Sequence, residues 1–157
     1  MDLTLNVGDY ILNIRAAAII IHNNKVLFHK NLNKEHYALI GGRIGIGESS
    51  KDTVKREVFE ELGKEINIIK HMATIENFFK ANGKKYHEIL FVYNAEFTND
   101  KDKLIETEMK NAEGKEYLKY EWLDLDKIEE YNIVPKAIKQ VLQNITTESH
   151  IINNELK

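Results

Sequence analysis

The chain has 157 residues, 43% hydrophobic and 30% charged, with 22 Lys and Arg against 25 Asp and Glu for a formal charge of −3. That length suits one domain, 1–157, in the class of roughly 100–200 residues, and the longest apolar run, 16–21, falls well short of the ~20 residues a membrane helix needs. Without cysteine, disulfides and thiolate metal sites are excluded, which fits a reducing cytoplasm, and the slight acidity argues against binding polymeric nucleic acid, whose partners are usually basic.

The opening residues hold an acid at position 2 and no basic stretch leading into an apolar one, so they do not read as a secretory signal. Leu3, Leu5 and Val7, then Tyr10, Leu12 and Ile14, alternate around Gly8-Asp9 and predict a short extended or hairpin entry. Residues 15–22 and 25–30 read as two strands joined by the Asn23-Asn24 turn signal. A brief third strand over 37–40 runs into a loop containing Gly41, Gly42, Gly45 and Gly47.

Residues 49–63 carry the clearest helix signals in the chain. Ser49 and Asp52 have capping-box spacing, and Gly63 suits the position just past a helix end. Val54, Val58 and Leu62, with Phe59 beside them, form a packing face, while Glu57, Glu60 and Glu61 fall on another side. Residues 65–80 and 84–97 are β-rich runs joined at Asn82-Gly83, a good hairpin signal. The polar stretch 98–116 is long for a simple connection and reads as a functional loop or a mobile segment. A strand pattern resumes over 117–123, helices are expected over 124–131 and 135–145, with Pro135 in a tolerated first-turn position, and the tail, 147–157, is expected to fray. The order of elements implies a mixed sheet with helices on both faces.

Chemistry concentrates in 42–64, GRIGIGESSKDTVKREVFEELGK. Glutamates at i, i+3 and i+4 come within side-chain reach of one another, and like charges at that spacing cost a helix a few tenths of a kcal/mol per pair. A hard divalent cation such as Mg²⁺ or Mn²⁺ removes the conflict, since it prefers carboxylate, carbonyl and water oxygens.

The spacing of Gly42, Glu48, Arg56, Glu57, Val58, Glu60, Glu61 and Gly63 resembles the Nudix box. Seven such identities fall in register by accident with a probability on the order of 10⁻⁸ to 10⁻⁹ per start position. Arg15 before an apolar strand, Trp122 in a late strand and Pro135 before a last helix agree with the family over most of the chain. Lys64, Ile40 and Gly45 depart from its usual residues, and none of the three removes a metal ligand. The resemblance implies an α+β fold, an α/β/α sandwich with a mixed sheet, and Mg²⁺- or Mn²⁺-dependent hydrolysis of a pyrophosphate bond in a nucleoside diphosphate linked to another group. By carry-over, Glu57, Glu60 and Glu61, with the Gly42 carbonyl, hold metal, and Arg56 orients Glu48 or a neighbouring carboxylate. Glu57 is the first candidate for general base, with Glu106, Glu108 and Glu113 behind it.

Arg15 and Arg43, which with Arg56 make up all the arginines, are phosphate-contact candidates. Of His87-Glu88, strand neighbours that point to opposite faces, one can meet substrate, and His87 is the candidate. Phe78, Phe79, Tyr86 and Tyr93 suit base stacking or ordinary cross-strand pairs; Trp122 reads as core, and Lys84-Lys85 as a solvated hairpin tip. Markers of substrate subclass are missing, so nucleoside triphosphates and nucleotide sugars both stay open, as does a homodimer. A non-catalytic nucleotide-binding module is the alternative from another class. Its hallmark is an eroded box, and here every proposed metal carboxylate is present.

Overall fold

A central strand with two apolar faces organises the chain, and a computed structural model describes it over residues 1–103 and 109–157. In chain order the strands are β1 (Thr4–Val7), β2 (Tyr10–His22), β3 (Lys25–Asn31), β4 (His36–Ala38) and β5 (Ile40–Arg43), followed by helix α1 (Ser50–Leu62). Then come β6 (Ile66–Ala81), β7 (Lys84–Phe97), β8 (Leu118–Asp124), helix α2 (Ala137–Gln143) and β9 (Ser149–Asn154). The described strands share one sheet in the order β4-β3-β2-β7-β6-β9, with β1 and β5 paired to β2 and β8 to β3. It is mixed, because β2 runs parallel to β7 and β6 parallel to β9 while the other pairings are antiparallel.

Successive side chains of a strand point to opposite faces, and β2 uses both. Ala16, Ala18 and Ile20 pack with Val54, Val58 and Leu62 of α1, whereas Ala17 and Ile19 pack with Ile138, Val141 and Leu142 of α2. Helices therefore cover both faces, as the order of elements predicts. Phe59 is the exception on α1: it is 55% exposed, because it lies beside the packing stripe rather than in it. Among the described residues no helix is long and apolar enough to cross a membrane.

Local chemistry sets the turns. Asn23 and Asn24 adopt φ of 51° and 60°, and Asn82 and Gly83 adopt 51° and 76°, the left-handed pair that a two-residue hairpin requires. The expected strand over 37–40 divides into β4 and β5, since the chain passes from pairing with β3 to pairing with β2. The helix expected over 124–131 is a 3₁₀ helix, Leu125–Glu130, and α2 is shorter than its predicted span.

The tail does not fray. Residues 149–154 form β9 against β6 in the register Ala73↔Ser149 to Phe78↔Asn154, supported by Asn153 Nδ2 donating to Asn77 Oδ1 at 2.8 Å and by the Glu155 N–H to the Phe78 carbonyl. Its sequence, SHIINN, lacks apolar alternation, and the pairing is with a distant strand, so periodicity gives no signal.

Candidate active site

Helix α1 is fixed at both ends by its own sequence. Ser49 Oγ accepts the Asp52 N–H at 3.1 Å, and Gly63, at φ 67°, donates its N–H to the Phe59 carbonyl at 2.8 Å. The Ser50 hydroxyl meets the Tyr93 hydroxyl at 2.6 Å, tying the start of the helix to β7. The acidic side of α1 is thereby set against β5 and the loop that follows it.

Arg56 is the hub of that side. Its Nε donates to Glu48 Oε2 at 2.8 Å and its Nη2 to Glu48 Oε1 at 2.9 Å, a bidentate fork. Nη1 donates to Glu57 Oε1 at 2.9 Å and to Glu60 Oε2 at 3.2 Å, while Nη2 also reaches the Arg43 carbonyl at 3.2 Å. Arg56 holds the Glu48 carboxyl down at about 2, helped by hydrogen bonds from the Thr53 hydroxyl and the Gly45 N–H. Burial pushes the Glu57 carboxyl above its ordinary value; the Arg56 hydrogen bond opposes this, and the charges of Glu60 and Glu61 add to it.

Gly42 makes room for Glu57. A Cβ built on Gly42 would lie 2.3 Å from Glu57 Cδ and 2.4 Å from its Oε1, so only glycine lets the carboxylate rest against this backbone.

Glu61 is held differently. It is 6% exposed, and its Oε1 accepts from the Tyr120 hydroxyl at 3.1 Å and lies 3.2 Å from His29 Nδ1. Its buried Oε2 has no hydrogen-bond partner. Tyr120 in turn accepts from Asn111 Nδ2 at 2.8 Å, and burial, then the Glu61 charge, pushes its phenol above the ordinary value.

The structure thus gathers Glu48, from the loop before α1, and Arg56, Glu57 and Glu60 of α1 into one ion-paired group, while Glu61 of the same helix is held by Tyr120 and His29. Among the described residues no three His, Asp or Glu side chains are already clustered for a metal ion; the guanidinium takes the place of a cation between Glu57 and Glu60. Arg15 and Arg43 stand opposite each other in the β2–β5 register. His87 packs against Phe78 with ring centroids 4.5 Å apart and the planes tilted by 35°, and Glu88 is buried with Asn77 Nδ2 at 3.3 Å. Phe79 and Tyr86 stack as a cross-strand pair at 4.8 Å. Lys64 spans to Asp102 at 2.8 Å. Glu113 pairs with Lys115 at 3.4 Å, and Glu106 and Glu108 lie outside the described residues. His29, Tyr120, Asn111 and Thr53 escape sequence reasoning; the β3–β8 register that sets His29 against Tyr120 leaves no local pattern.

A divalent cation fits these residues. The donors are hard oxygens, one of them, Glu61 Oε2, is buried with nothing to satisfy it, and Gly42 leaves its backbone open to the neighbouring carboxylate. A family model described as a NUDIX domain matches residues 12–144. The fold is similar to that of a NUDIX hydrolase from Nitrosomonas europaea, with a TM-score of 0.60, 19% identity, and 85% of this chain and 88% of that one covered. It is also similar to a MutT protein from Bacillus halodurans, with a TM-score of 0.59, 22% identity and coverage of 88% and 85%. For an ADP-ribose pyrophosphatase from Streptococcus suis the values are 0.61, 16%, 88% and 98%.

Proposed function

Because the chain belongs to the NUDIX family of hydrolases, we propose that it uses Mg²⁺ or Mn²⁺ to hydrolyse the pyrophosphate bond of a nucleoside diphosphate linked to another group, a nucleoside triphosphate or a nucleotide sugar. The observation that carries this reading is the buried Glu61 oxygen without a partner: a desolvated carboxylate oxygen costs free energy unless a cation or a donor meets it.

In this reading Glu57, Glu60 and Glu61 hold the ion together with the Gly42 carbonyl. When bound, the ion offsets phosphate charge, orients the phosphoryl group and lowers the pKa of water. Arg56 keeps Glu48 ionised and braces the loop through the Arg43 carbonyl. Glu57, resting against Gly42, is the general base that takes the proton of the attacking water on a carboxylate oxygen. Arg15 and Arg43 receive the phosphates. They face each other across two strands, and among the described residues neither has an acidic partner within 4.0 Å. Like charges so placed are unfavourable, and an anion between them removes the conflict. His87 pairs with Leu12, four residues along β2 from the partner of Gly42, about 13 Å at strand rise, so we assign it to the far group of the substrate. The enzyme works in the cytoplasm as a single domain, which a chain without cysteine suits.

A panel of nucleoside triphosphates, nucleotide sugars and dinucleotides, with products identified, tests the proposal. A nucleoside monophosphate should appear with Mg²⁺ and be lost with chelator or in Glu61→Gln. Tight binding of a panel member with no turnover on any would instead make the protein a nucleotide-binding module.

A further inference from the structure

The hydrogen bonds around Glu61 have a direction. Asn111 Oδ1 accepts two backbone N–H groups, from Glu113 at 2.8 Å and Lys115 at 3.1 Å. Its amide nitrogen must then be the atom that faces Tyr120, and it donates to the phenolic oxygen at 2.8 Å. An amide NH₂ cannot accept, so the single phenolic proton is left for Glu61 Oε1, at 3.1 Å. His29 Nδ1 completes the set at 3.2 Å, and a carboxylate oxygen can only accept. Asn111 and Tyr120 are 9% and 3% exposed, so water does not compete for these bonds. A second link runs through the main chain, where the Ala112 N–H donates to the Glu61 carbonyl at 2.7 Å. The end of the long connection therefore reaches Glu61 twice, through Tyr120 from Asn111 and directly from Ala112.

We propose that Asn111, Tyr120 and His29 are positioning residues that commit one Glu61 oxygen to the protein and leave the other free for the divalent ion, so that residues 109–115 set metal affinity. The inference rests on the reading above that Glu61 holds that ion. None of the three touches reacting atoms. Two donors on Oε1 stop the carboxylate from rotating, and a carboxylate with one orientation loses less freedom when a cation arrives.

The test is Mn²⁺ titration of the full chain without substrate, following the free-ion signal by electron paramagnetic resonance, beside thermal unfolding in chelator. Tyr120→Phe should weaken Mn²⁺ binding about tenfold, and Asn111→Ala by severalfold, in the range that ligand-supporting partners usually cost. Tyr120→Phe should unfold near the wild-type midpoint, whereas Asn111→Ala, which also strips two backbone N–H groups of their acceptor, should unfold lower but still cooperatively. Asn111→Ala keeps the phenol in place, so it serves if Tyr120→Phe fails to fold. Saturating Mg²⁺ should restore turnover of Tyr120→Phe to within about threefold of wild type, a rescue that a damaged fold does not permit. Wild-type Mn²⁺ affinity in both variants, with affinity lost in Glu61→Gln, overturns the positioning role and leaves the metal site standing. Wild-type affinity in Glu61→Gln overturns the metal reading itself.

Discussion

Glu48, Glu57 and Glu60 share one guanidinium in a setting partly open to water, whereas Glu61, on the same helix, is buried with a phenol and an imidazole on one oxygen and nothing on the other. The first group is partly balanced by the protein itself, one guanidinium against three carboxylates. Arg56 supplies positive charge and five donors in a rigid fork, so these carboxylates can be brought together without a metal ion. Glu61 has no guanidinium: Tyr120 brings a donor without formal charge, His29 lies on the same oxygen, and Oε2 is left unmet. Within one turn of α1 the protein thus holds its acids in two ways, Glu57 and Glu60 by a guanidinium and Glu61 by a phenol and an imidazole on one oxygen, and the two should respond differently to mutation.

The largest effect is expected at the unbalanced residue. Glu61→Gln removes a charge at the proposed metal, and several kcal/mol of transition-state stabilisation corresponds to a loss of kcat/KM on the order of 10³-fold. Steady-state kinetics on the best panel substrate would show it, and a loss under tenfold would put Glu61 on a level with its neighbours. Next is Gly42→Ala. The added methyl would lie 2.3 Å from Glu57 Cδ, forcing the carboxylate aside, and a displacement of about 1 Å in a reacting constellation costs roughly 10²-fold. Activity should fall by that order while the far-ultraviolet circular dichroism stays unchanged.

Arg56→Ala addresses the balanced group. Three carboxylates then repel one another at a half-exposed site, and urea unfolding should show a loss of about 1–2 kcal/mol, less than for a buried pair because solvent screens it. Added Mg²⁺ should recover part of that loss, whereas no recovery would mean that these acids do not meet the ion.

The same group sets a pH dependence. Glu48 sits at about 2 in the folded chain against an ordinary 4.5, chiefly through its hydrogen bond from Arg56. A depressed carboxyl stabilises the fold above the ordinary value, and the contribution is lost as pH falls from about 4.5 through 2. Unfolding free energies of wild type and Glu48→Gln, measured from pH 7 downward, should therefore converge in acid; a constant gap would assign the role of Glu48 to packing. The smallest effect belongs to the sheet edge. His150 and Glu76 pair at 2.7 Å, but His150 is largely solvent-facing, and His150→Ala should cost under about 1 kcal/mol.

What could be read from the sequence follows the range of the interactions. The capped helix and the glycine loop lie within a short stretch, and their spacing predicts them; the Arg56–Glu48 pair is what the resemblance to the Nudix box implied. The two-sided sheet was legible from the order of elements, and the structure adds that alternate residues of β2 serve opposite cores. The setting of Glu61 was not, because His29 and Tyr120 meet only through the pairing of β3 with β8 and Asn111 comes from the long connection. The strand β9 escaped for a similar reason: a short segment without apolar alternation pairs in parallel with a strand far away in sequence. Arg15 and Arg43 were legible as candidates through their rarity, yet their cross-strand alignment needed the register.

Binding of a divalent cation by the acidic side of α1, beside Gly42, is open to direct observation. A crystal of the full chain soaked in MnCl₂, with data collected at the manganese edge, tests it most directly. An anomalous peak is expected within ligand distance of Glu61 Oε2 and a carboxylate oxygen of Glu57 or Glu60, with the Arg56–Glu48 fork intact. No peak on α1, or one bound to other side chains while Arg56 still holds Glu57 and Glu60, would contradict it.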